Sequence, residues 1–172
     1  MRIQIVTHLL PHELDEFERQ LCVFSQCELE DEVVLDVTLN MNTIDPSSMI
    51  HPEFFVHKFN KLYNYVTKTK WCKSPIFDIN RDGTCRGVND KRRNSIRTYA
   101  NTVDAFLYLD SDVVFPPHAL PYIIHCAKQI KNEYYIITQQ IPKIWDATWD
   151  HLVNDAFINE DRKSTRLNSS HV

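Results

Sequence analysis

The stretch Phe106-Leu-Tyr-Leu-Asp-Ser-Asp-Val-Val-Phe115 decides the fold expected of this chain. From Ala105 to Leu109 apolar and aromatic residues run without a break, which predicts a strand buried on both faces. The run stops on Asp110 and Asp112, and Pro116-Pro117 closes it and opens a helix. Side chains alternate along extended backbone, so Asp110 and Asp112 share a face and can converge on one cation. In an open α/β sheet ligands bind at the carboxyl ends of the strands, which is where this pair falls. An acidic turn that merely ends the strand is the plain alternative.

Working outward, apolar runs and helical stripes alternate. A short strand is expected at 2–7 and a helix at 12–26, with Leu14, Phe17, Leu21 and Phe24 at helical spacing. A Val-rich strand follows at 32–39, then a turn-rich segment at 40–48. His51-Pro52 opens a helix striped by Phe55, Phe59, Leu62 and Val66, and a polar loop at 68–87 carries a weak strand at 76–79. Helices are expected at 90–102 and 117–131, a strand at 134–139 and a helix at 145–157. Such alternation implies βαβ units, hence an α/β chain with a mostly parallel sheet.

With 172 residues, 43% of them hydrophobic, the chain is large enough for one domain with a real core. The net charge of -4 gives no electrostatic case for nucleic acid or an anionic membrane. No apolar run is long enough to span a bilayer, and the chain opens directly into a strand. The five cysteines are scattered and form no Cys-x-x-Cys pair, which fits reduced thiols in a cytoplasmic protein and argues against a zinc site. The histidines, His118 and His125 among them, show no ligand spacing. Gly83 and Gly87 are the only glycines, which excludes a Walker loop, a Gly-x-Gly-x-x-Gly fingerprint and the Gly-rich loop of sugar-nucleotide pyrophosphorylases. A nucleotide would have to be held by side chains, cations and helix ends.

The second informative stretch is Asn89-Asp90-Lys91-Arg92-Arg93-Asn94-Ser95-Ile96-Arg97. Asn89 or Asp90 is placed to cap a helix, and three cations then crowd its positive end. That arrangement calls for an anion, and a diphosphate would suit both the helix end and the guanidinium groups. Arg93 and Arg97 lie four apart on one face and are the candidate anion contacts. Lys91 and Arg92 read as a solvated basic face.

An Arg93-Asn94 pair on the helix that leads into a buried strand ending Asp110-Ser111-Asp112 resembles the donor-binding half of family 2-type glycosyltransferases of the GT-A fold. The resemblance covers most of residues 1–160 and implies a Rossmann-like three-layer α/β/α sandwich. It implies transfer of a sugar, of the hexosyltransferase type, from a nucleoside-diphosphate sugar (UDP or GDP type) to an unknown acceptor. Asp110 and Asp112 would hold Mn²⁺ or Mg²⁺, with Asp110, Arg93 and Asn94 also meeting the donor. Thr7, at the end of the first strand, and Asn40 are the implied nucleoside contacts. Asn40 lies in Asp36-Val-Thr-Leu-Asn40-Met-Asn42, where members of the family usually carry Asp-Asp-Gly-Ser. The acidic general base of inverting members comes late in the chain, and Asp146 and Asp150 are the late candidates here. Trp145 and Trp149 share a helical face and could stack on a sugar, although aromatics so spaced are more often core.

Leu-Tyr-Leu-Asp-Ser-Asp also resembles the haloacid dehalogenase phosphatase motif, in which the first Asp is a nucleophile. There the motif normally lies near the N-terminus and is followed by Gly-Thr, whereas Val113-Val114 follows here. A non-catalytic nucleotide-sugar-binding fragment is the third reading. Residues 161–171 match one translated frame of a common sequencing-library adapter. The expectation is therefore a disordered, non-native tail at 161–172, behind a nucleotide-sugar-binding domain at 1–160 that continues in the natural protein.

Overall fold

The computed structural model describes residues 1–43, 50–82, 87–111, 113 and 115–130. The chain divides into two units, Met1–Lys128 and Gln129–Val172, and the described elements belong to the first, with α4 reaching its boundary. In chain order they are β1 (Arg2–Leu9), a 3-10 turn (Pro11–Glu13), α1 (Leu14–Phe24), β2 (Glu32–Asn40) and a second 3-10 turn (Met41–Thr43). Then come α2 (Pro52–Val66), β3 (Ser74–Asn80), α3 (Val88–Tyr99), β4 (Ala105–Tyr108) and α4 (Ala119–Gln129). The strand and helix expected at 134–139 and 145–157, and the tail at 161–172, lie outside the described residues.

All four strands are parallel, in the order β3-β2-β1-β4. The expected Rossmann-like α/β/α arrangement is thus present. The chain steps outward from β1 to β2 to β3, then returns across β1 to lay down β4. Parallel crossovers are right-handed, so reversing the direction of travel moves the connecting helix to the other face of the sheet. Accordingly α1 and α2 lie on one face and α3 on the other.

The two faces differ in chemistry. Ile3, Ile5 and Leu9 of β1 share a face with Val33, Leu35, Val37 and Leu39 of β2. They form one apolar core with Leu14, Phe17, Leu21 and Phe24 of α1, Phe59, Leu62 and Val66 of α2, and Leu120 and Ile124 of α4. Phe77 of β3 joins this side, its ring centroid 4.9 Å from that of Phe59 and 6.4 Å from that of Phe17. Each large side chain buried there contributes roughly 1.5–3 kcal/mol. The opposite face carries Gln4 and His8 of β1, Asp36, Thr38 and Asn40 of β2, and Asp78 and Asn80 of β3. This polar face receives α3.

Element ends shift from the sequence expectation for local reasons. β1 runs on to Leu9 because it stays paired with β2 as far as Leu39. The helix expected at 90–102 is Val88–Tyr99, with its first bond from Lys91 N–H to the Gly87 carbonyl at 3.1 Å. Its end is closed by the Thr102 hydroxyl, 3.0 Å from the Tyr99 carbonyl. β4 is half-buried rather than buried on both faces: among the described residues it has one neighbouring strand, β1.

Candidate functional site

Polar groups gather along α3, which packs over β1 and so lies between β2 and β3 on one side and β4 on the other. Towards β2, Lys91 places its ammonium on Oδ1 of Asp36, with the two residues only 7% and 2% exposed. Oδ2 of Asp36 accepts from Ser95 Oγ at 2.9 Å and from Gln4 Nε2 at 2.8 Å. Both oxygens of this buried carboxylate thus meet donors, three in all, as burial of a charge requires. Lys91 and Ser95 are four residues apart, so one stripe of α3 reaches the strand. The expectation that Lys91 belongs to a solvated face is therefore corrected: an acidic residue in the strand beneath draws it inward.

Beside this pair opens a polar cleft of about 330 Å³, lined by Asp36, Thr38, Asp78, Ile79, Asn80, Asp82, Lys91, Asn94, Ser95, Thr98 and Tyr99. Burial, with the nearby charges of Asp36 and Asp78, pushes the Tyr99 hydroxyl above its ordinary pKa, so it is a donor at neutral pH.

Towards β4, Arg92 donates from Nη2 to Asp110 Oδ1 at 3.0 Å, and its guanidinium carbon lies 5.3 Å from the centre of the Tyr108 ring. Arg92 too is therefore not a freely solvated cation. Asp110 follows β4 directly, past Leu109, whose N–H bonds the Val6 carbonyl at 3.0 Å. His8, near the end of β1, is buried, and its Nε2 has no hydrogen-bond partner among the described residues. Burial pushes its pKa down; Glu13 and Asp90 pull it up, and Lys91 pushes it further down.

No protein-family model, curated protein or solved structure matches this chain.

Besides Asp110, the residues singled out from the sequence fall into four groups. Arg93, Asn94 and Arg97 are all exposed on α3, Asn94 at the cleft and Arg93 with its Nη1 3.9 Å from Asp90 Oδ1. Asn40 is buried at the end of β2, its Oδ1 accepting from the backbone and the side chain of Asn42, each at 3.1 Å. Thr7 is buried on the apolar face of β1, away from α3, with its hydroxyl unpartnered among the described residues. Asp112, Trp145, Asp146, Trp149 and Asp150 lie outside the described residues. Each of the three cations at the start of α3 has a carboxylate of the chain beside it: Asp36 at Lys91, Asp110 at Arg92 and Asp90 at Arg93.

Asp36, Lys91, Gln4 and Thr38 were missed. The signal was available as polar residues two apart in Val34-Leu-Asp36-Val-Thr38-Leu-Asn40, which set one polar and one apolar face on β2. As a ligand for Mg²⁺ or Mn²⁺, Asp110 fits: it is an exposed hard-oxygen donor at a strand end. Among the described residues no group of three metal-ligating side chains surrounds it.

Proposed function

We propose that this chain binds a nucleoside-diphosphate sugar of the UDP or GDP type and transfers the sugar to an acceptor hydroxyl, as a cytoplasmic glycosyltransferase. The observation that carries the reading is the place of Asp110. It stands at the carboxyl end of β4, across the topological switch from β2 and β3, where open parallel sheets take their ligands. The polar cleft supports the same reading. Its hydroxyl, amide and carboxylate groups suit the hydroxyls and N–H groups of a nucleoside, and Asp78 and Asp82 disfavour a phosphate there. The diphosphate then belongs on the β4 side, where the guanidinium of Arg92 stands, with Arg93 beside it on α3.

In this mechanism Asp110 and Asp112 would hold Mn²⁺ or Mg²⁺, which supplies compensation for the charge left on the departing nucleoside diphosphate. Arg92 and Arg93 would share that task through hydrogen bonds to phosphate oxygens. A carboxylate would take the proton of the acceptor hydroxyl.

The test is thermal. Mn²⁺ together with UDP or GDP should raise the melting temperature of the chain more than either alone, and Asp110→Asn should remove the excess. No shift with any combination would overturn the reading. Binding without sugar release from UDP- and GDP-sugars in the presence of acceptors would reduce it to a nucleotide-sugar-binding module.

A further inference from the structure

We propose that Arg92 and a divalent cation compete for the carboxylate of Asp110, so that Arg92 keeps the carboxylate from a cation until a phosphate-bearing ligand draws its guanidinium away. The inference rests on the proposed function and assigns Arg92 as a positioning residue acting through Asp110.

Four observations carry it. Oδ1 of Asp110 already accepts from Arg92 Nη2 at 3.0 Å, and an oxygen so engaged cannot also ligate a cation without bringing two positive charges within a few ångströms. The guanidinium is held over Tyr108, 5.3 Å from the ring centre, so its place on Asp110 is fixed by two contacts. Its neighbours Lys91 and Arg93 lie against Asp36 and Asp90, which leaves Arg92 as the cation on Asp110 among the described residues. Finally, the side chains are 35% and 60% exposed, and a pair this wet is weak enough to exchange. A guanidinium matches two phosphate oxygens at once, so a diphosphate offers Arg92 a better partner than Asp110 does. Anion binding and cation binding then assist each other: the first frees the ligand that the second needs.

The test titrates the full chain with Mn²⁺ alone, read by calorimetry and by the paramagnetic resonance of free Mn²⁺. Wild type is compared with Arg92→Leu, Arg92→Lys and Arg93→Leu, each checked for wild-type circular dichroism. Arg92→Leu should bind Mn²⁺ up to about fivefold more tightly, the ceiling set by a partly exposed pair. Arg92→Lys should stay near wild type because it keeps the competing charge. Arg93→Leu removes the same charge without touching Asp110, and should also stay near wild type. Equal affinity in wild type and Arg92→Leu, or weaker binding by Arg92→Leu, would overturn the competition while leaving the proposed function standing. Equal tightening by Arg93→Leu would overturn it too, as a general charge effect. If wild type and all variants fail to bind Mn²⁺, with or without inorganic pyrophosphate, both the competition and the proposed cation site fall.

Discussion

The ammonium of Lys91 lies on the carboxylate of Asp36 beneath α3, and almost no water reaches either group. The contact ties the first half of α3 to β2. The next residue, Arg92, is tied in turn to Asp110 beyond β4. Adjacent residues of one helix thus meet carboxylates on opposite sides of β1.

Removing one partner of such a pair leaves an uncompensated buried charge. Lys91→Met should lower unfolding free energy by ~3–5 kcal/mol, whereas Lys91→Met with Asp36→Leu should cost far less. Urea unfolding of both variants measures the difference. If the double variant loses as much as the single one, the pair is not what the burial of α3 depends on.

His8 gives a pH dependence of known sign. Burial holds the folded imidazole below its ordinary value of about 6.5, so the unfolded chain takes up the proton first. Its contribution is therefore intact above about pH 6.5 and is lost as pH falls from there towards the folded pKa. His8→Gln should flatten the fall in melting temperature between about pH 7 and pH 5. An unchanged slope would assign the acid sensitivity to other groups.

The cleft can be blocked without touching Asp110. Thr98 is exposed at its wall, and Thr98→Trp would fill much of the space. Uridine or guanosine affinity should fall at least about tenfold, a loss of roughly 1.4 kcal/mol, while the affinity for Mn²⁺ alone is unchanged. Undiminished nucleoside binding would move the nucleoside elsewhere on the protein.

How legible this was from the sequence depended on the kind of signal. Phe17, Phe59 and Val33 announced themselves through period and composition, because apolar burial is set largely by local pattern. The position of Asp110 just past a strand was legible because the apolar run before it stops there. The pairing of Lys91 with Asp36 was not, since the two are 55 residues apart and meet only once the crossover has put α3 on the polar face. For the same reason the sequence pointed to Arg93, while the side chain that meets Asp110 belongs to the residue before it. One step along a helix turns a side chain by about 100°, and chain spacing alone could not fix that angle against the sheet.

The unequal faces of the sheet are also held in unlike ways. On the apolar side, contacts between α1, α2 and the strands are numerous, non-directional and individually small, so they give way gradually. Across the sheet α3, packed on β1, also makes directional bonds that centre on one carboxylate. The helix that borders both the cleft and Asp110 is thus the one whose polar contacts with the sheet centre on a single carboxylate.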